Sequence, residues 1–103
     1  MKFKSNKKDI LVNIDKRKKL ALNEVGKYVV GEAKLRTPVD LDYLRPRTKH
    51  KVKGNIVTIG NPVKYAGYVE KGTRFQKAQP FLEPAVRRNT GNIKKLIESY
   101  FKE

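Results

Sequence analysis

The sequence has no cysteine, no tryptophan, one histidine and one methionine. Without cysteine there is no disulfide, no thiolate metal site and no cysteine nucleophile, so nothing requires an oxidising compartment. With His50 alone, a histidine-rich metal site is excluded. His50 stands between Lys49 and Lys51, with no carboxylate beside it to orient a catalytic imidazole, and is read as a surface residue. Long apolar runs are also missing. The stretch after the basic N-terminus is only Ile10-Leu11-Val12, too short for a secretory signal or for the roughly 20 apolar residues of a membrane span. The expectation is a chain made in the cytosol of the producing cell, with no address tag and no membrane contact.

The usual constellations of catalysis are absent as well. No glycine run resembles a phosphate-cradling or dinucleotide-binding loop. Ser5 and Ser99 have no nucleophile context. Asp40 and Asp42 are the closest pair of carboxylates, and two carboxylates do not make a cation cage; turn formation by Asp40 is the preferred reading. No enzyme, cofactor or small-molecule substrate is expected.

What the chain has in excess is positive charge: 25 Lys plus Arg against 10 Asp plus Glu, a formal net charge of +15. Such an excess commonly accompanies contact with nucleic acid or another polyanion. The candidates for nonspecific DNA contact are Lys2, Lys4, Lys7 and Lys8, in a basic flexible arm over residues 1–8, and the run Lys16, Arg17, Lys18 and Lys19. Tyr65 and Tyr68 lie near Lys64, Lys71 and Arg74, an interleaving that suits base stacking. No recognition-module signature accompanies it, and the preferred reading is that one tyrosine packs in the core and the other covers a subunit contact.

The 103 residues fit one domain, taken here as 9–103. A chain this short buries only about 65% of its unfolded surface, and its hydrophobic content is 38%. The core is therefore thin, which favours burial of apolar surface against a partner. Ile14, Ala21, Leu22, Val25, Val29 and Ala33 fall near helical spacing and predict a helix over Asp9–Arg36, capped by Asp9, Asn13 or Asp15. Gly26 and Gly31 weaken it and suggest close packing. Thr37-Pro38 ends it, and a loop follows to Arg47. Thr48–Lys53 and Ile56–Ile59 predict a hairpin across Gly54-Asn55. Val63–Gly72 satisfies a helical face and a strand face, with a short helix favoured. Thr73–Gln79 reads as an exposed loop. Pro84 opens the last helix, which weakens at Asn89–Asn92 and continues as an Ile93, Leu96, Ile97, Tyr100, Phe101 stripe. The predicted class is α+β: a long N-terminal helix and a C-terminal helix on a small antiparallel sheet, with a short central helix.

Three segments, in order, resemble a known family. Ala33-Lys-Leu-Arg-Thr-Pro-Val-Asp40 with Leu44-Arg45 is the first. Val57-Thr-Ile-Gly-Asn-Pro-Val-Lys-Tyr-Ala-Gly-Tyr-Val-Glu-Lys-Gly-Thr73 is the second, and Ala78-Gln-Pro-Phe-Leu-Glu-Pro-Ala85 the third. They look like the small tail-component family of long-tailed bacteriophages, also described as neck, tail-completion or minor head–tail connector proteins. Leu41-Asp42 departs from the Thr-Gly usual at that turn. The resemblance implies a structural virion protein at the head–tail junction, docking on copies of itself and on neighbouring neck or tail proteins, plausibly as a ring. The family-motif residues it marks as possible subunit contacts are Thr37, Pro38, Val39, Asp40, Leu44, Arg45, Tyr65, Ala66, Val69, Glu70, Gly72, Thr73, Arg74, Phe75, Gln79, Pro80 and Phe81. Phe75, exposed among cations, is read as an assembly anchor slightly ahead of a side chain tucked on its own domain. The competing reading is a small basic nucleic-acid-binding module.

Overall fold

The computed structural model describes residues 2–5, 9–14, 18–74 and 77–101. Its sheet begins where the sequence pattern pointed to a helix. Ile10, Val12 and Ile14 alternate with Leu11 and Asn13, and this two-residue period prevails: Asp9–Asn13 is strand β2, with Ile10 and Val12 fully buried. Helix α1 starts only at Lys19 and runs to Arg36. Asp9 and Asn13 therefore do not cap it, Lys18 stands at the cap position without a side-chain cap bond, and Asp15 lies outside the described residues. Ile14 is held instead by its N–H, which donates to Asn55 O at 2.9 Å.

Lys2–Ser5 is likewise a strand, β1, and not part of a free arm. It pairs antiparallel with β2, Phe3 opposite Val12 and Lys4 opposite Leu11. Its local sequence has little strand character, so the order comes from pairing with β2. Lys7 and Lys8 lie outside the described residues. The predicted hairpin forms as β3 (Lys49–Lys53) and β4 (Ile56–Gly60), with Gly54 at a φ of 61° in the turn. The four strands are all antiparallel, in the order β1-β2-β4-β3.

One face of this sheet is covered by α1. Ile10 and His50 flank Ile59 in one row, Val12 and Val52 flank Val57 in the next, and α1 lays Ala21, Leu22, Val25, Val29 and Ala33 against them. Gly26 permits a close approach of helix and sheet: a Cβ there would overlap the His50 ring. Gly31 has open space around it, so the close packing expected there is absent.

Past α1, Thr37-Pro38 ends the helix as predicted, but the segment to Arg47 is a 3-10 helix, Val39–Arg47, kinked at Leu41 (φ −118°, ψ 33°). It forms because Leu44 has a fully buried site to fill. The ambiguous central segment is helix α2, Lys64–Lys71, ended by Gly72 at a φ of 78°. Helix α3, Glu83–Arg87, carries Pro84 in its first turn, and α4, Thr90–Phe101, follows the expected break. At that break Asn89 is buried: its Nδ2 donates to Ala85 O at 2.9 Å and its Oδ1 accepts from the Tyr28 hydroxyl of α1 at 2.8 Å. Ile93 and Ile97 of the predicted stripe are buried, Leu96 and Tyr100 half-buried. The α+β class holds, with four strands where the sequence pattern suggested two.

Candidate functional site

The motif residues divide into buried and exposed sets. Thr37, Leu44, Ala66, Val69, Glu70 and Phe81 are buried. Glu70 is the most informative of them. It sits in the last turns of α2, and its carboxylate is turned towards the entry of α3. Oε1 accepts the backbone N–H groups of Phe81 (2.9 Å) and Leu82 (3.0 Å), and Oε2 accepts that of Glu83 (2.9 Å). A helix start leaves such N–H groups without intrahelical acceptors, and an anion favours that end of the dipole. Here the anion arrives from a different helix, so Glu70 caps α3 across the fold and fixes the connection between them. The Gln79 N–H, donating to Val69 O at 2.8 Å, closes the same connection.

Asn61 performs a similar task at the other end of the motif. Its Nδ2 donates to Leu44 O (2.7 Å) and Thr48 Oγ1 (3.1 Å), and its Oδ1 accepts the Val63 N–H (3.0 Å). It thereby ties the 3-10 segment to the start of α2. Thr37 and Thr48 each return a hydroxyl hydrogen bond to the carbonyl four residues back, at Ala33 (3.0 Å) and Leu44 (3.2 Å). Sequence reasoning passed over Asn61; its place in Gly60-Asn61-Pro62, after a strand, was the available signal.

Exposed motif residues cluster at the turn after α1. Leu35 is 79% exposed, Val39 86% and Tyr43 46%. Pro38 is half-buried and Asp40 exposed, while Arg45 pairs with Asp42 at 3.1 Å and keeps its Nε buried with no hydrogen-bond partner. Leu35 and Tyr43 were not among the residues singled out from sequence. Thr73, Arg74, Gln79 and Pro80 are exposed and Gly72 half-buried; Phe75, the proposed anchor, lies outside the described residues. Tyr65 and Tyr68 are half-buried and meet edge to face at 6.3 Å, and Tyr65 packs on the core, in keeping with the packing reading.

Of the proposed DNA-contacting cations, the described and exposed ones are Lys4 on β1 and Lys18 and Lys19 at the start of α1; Lys16 and Arg17 lie outside the described residues. Lys18 Nζ donates to Tyr100 O at 2.6 Å and stands 5.8 Å from the Tyr100 ring centroid, which joins α1 to the end of α4. The cations that share a face are Lys4 and three that sequence reasoning did not single out. Lys49, Lys51 and Lys53 alternate with inward-turned His50 and Val52, and Lys4 faces the same side of the sheet. A depression of about 400 Å³ opens near side-chain-free Gly60, between Asp9, Lys49, Lys51, Thr58 and Pro62.

His50 is half-buried, which corrects its reading as a surface residue. Its Nε2 lies 3.4 Å from Asn23 Oδ1 and donates to it when that nitrogen carries the proton. Burial, and secondarily the Lys27 ammonium, lowers its pKa below the ordinary 6.5. Among the described residues no group of His, Asp or Glu is placed to hold a metal ion, and no helix is long and apolar enough to cross a membrane.

No curated protein and no solved structure matches the chain. The family described as Bacteriophage HK97-gp10, putative tail-component, matches residues 1–72, a span that holds β1 to α2, the turn after α1 and Glu70. With that match over more than half its length, the chain belongs to the HK97-gp10-like family of phage tail components.

Proposed function

We propose that this protein is a non-catalytic structural component of a phage virion, assembling with copies of itself and with neighbouring tail proteins as a ring at the head–tail junction. The observation that carries the reading is family membership over residues 1–72. The structure supports it in two ways. The buried polar groups are engaged in holding the fold: Glu70 and Asn61 of the motif, and Asn89 after it, each spend hydrogen bonds on backbone or core partners. Among the described residues five large apolar side chains are exposed; Phe3 and Leu20 stand apart in sequence, and the other three, Leu35, Val39 and Tyr43, fall within nine residues at the motif turn, where a neighbour would cover them. A ring uses a different surface on each side of the subunit, so the partner of this turn lies elsewhere on the adjacent copy.

The test is localisation in the particle. A phage carrying an epitope-tagged copy of the protein is imaged with gold-labelled antibody. Label at a single site between head and tail is the expected result. Label repeated along the tail tube, or none in purified virions, would refute the reading.

A further inference from the structure

We infer that the open face of the β-sheet docks on the phosphate backbone of duplex DNA through Lys4, Lys49, Lys51 and Lys53. This goes beyond the assembly reading and does not rest on it. The face is the one α1 does not cover. Lys51, Thr58, Leu11 and Lys4 form one cross-strand row on it; Lys53, Ile56 and Asn13 lie in the next, and Lys49, Gly60 and Asp9 in the one before. Directly opposed residues of antiparallel strands point to the same side, and all four named lysines are exposed.

Charge is distributed unevenly between this face and the rest of the molecule. Four of the seven acidic residues of the described helices are in local ion pairs, Glu24 with Lys27, Glu32 with Arg36, Asp42 with Arg45 and Glu83 with Arg87, and a fifth, Glu70, is taken up by the backbone of α3. On the strands Asp9 is the only carboxylate. Among the described residues none of the four lysines is in an ion pair. Lysines two apart on a strand recur every ~6.7 Å, a repeat close to that of successive phosphates along a nucleic-acid strand. Lysine is depleted from the cores of protein interfaces, which favours a polyanion over a protein partner. Among the described residues the face carries no aromatic side chain on which an unpaired base would stack, so the occupant is duplex, held by its backbone without sequence readout.

The contact predicts a salt-dependent affinity measurable on the isolated chain. A short mixed-sequence duplex is titrated by fluorescence anisotropy over about 50–200 mM NaCl, where each phosphate contact contributes about 0.9 to the slope of log affinity against log salt. Lys4→Gln, Lys49→Gln, Lys51→Gln and Lys53→Gln combined should lower that slope by about 3–4 and weaken binding at least about tenfold. Removing the same charge from exposed helix positions, by Lys27→Gln, Lys71→Gln, Lys94→Gln and Lys95→Gln, should change both little. Asp9→Asn should tighten binding. Equal losses in the two lysine sets would assign the affinity to bulk charge and overturn the proposal. Lysines on edge strands also deter edge-to-edge pairing. Self-association of the sheet variant with unchanged DNA affinity would assign them that role instead, and tighter binding of a single strand of equal length would overturn the duplex assignment.

Discussion

The α2–α3 junction and the open face of the sheet use charge in opposite ways. At the junction one carboxylate, Glu70, is buried and accepts three backbone N–H groups. On the sheet, lysines at alternate positions of β3 stand in water without an ion-pair partner among the described residues. The buried charge defines the path of the chain. The exposed charges contribute little to the fold and are available for contact. Motif residues are thus of two kinds in this protein: the Val-Glu and Pro-Phe-Leu pieces of the pattern hold architecture, while Val39 of the same pattern is exposed at the turn after α1.

The largest expected effect lies at Glu70. Glu70→Ala leaves the Phe81, Leu82 and Glu83 N–H groups without their acceptor, at about 1–3 kcal/mol for each buried donor. A total loss of about 3–5 kcal/mol in urea denaturation is expected. A loss under about 1 kcal/mol would mean that the junction is held by its apolar contacts, and the contrast with the sheet would lapse. In α4, Ile93 is fully buried and Leu96 half-buried. Ile93→Ala should therefore cost about 2–5 kcal/mol and Leu96→Ala distinctly less. Similar losses at both positions would show that the exposed half of the stripe is also covered.

This division explains what the sequence made legible. Helix α2 followed from Tyr65, Ala66 and Val69, the β3–β4 hairpin from Gly54-Asn55 between strand-forming runs, and the α3–α4 break from Asn89 to Asn92, because each signal is local. Strand β2 was read as helix because Ile14 falls at helical spacing from Ala21 and Leu22, although it also continues the alternation of Ile10 and Val12. Strand β1 exists through pairing with β2, which its own four residues do not announce. Glu70 was singled out as a possible contact residue, but its role depends on N–H groups 11 to 13 residues away along the chain. The lysine face was hidden because it is assembled from β1 and β3, which lie at opposite edges of the sheet.

The meeting of α1 with β3 gives a smaller effect. Gly26→Ala would place a methyl group into the His50 ring, and overpacking of this kind costs about 1–3 kcal/mol. In the His50→Ala background the same substitution should cost much less, so thermal denaturation of the two single variants and the double variant measures the contact directly. Additive losses would place the strain elsewhere. His50 also makes stability depend weakly on pH. Its folded-state pKa is lowered by burial and by Lys27, so the unfolded chain takes up the proton more readily. This contribution is present above the unfolded value of 6.5 and is lost as pH falls from there through the lowered folded value. The melting temperature should decline over that interval, and His50→Gln should remove that part of the decline. An unchanged pH profile in His50→Gln would assign the dependence to other groups.

The smallest effect on stability belongs to the exposed turn, and it bears most directly on the central claim. Leu35 and Val39 are 79% and 86% exposed, so Leu35→Asp with Val39→Asp should shift folding stability by no more than about 0.5 kcal/mol at each site. Placing carboxylates on a covered apolar contact should nevertheless prevent docking. The decisive measurement is electron microscopy of lysates from a phage carrying this double substitution, with the melting temperature of the purified variant as control. The account predicts a normally folded protein with unjoined heads and tails. Intact virions in normal yield from that phage would contradict it.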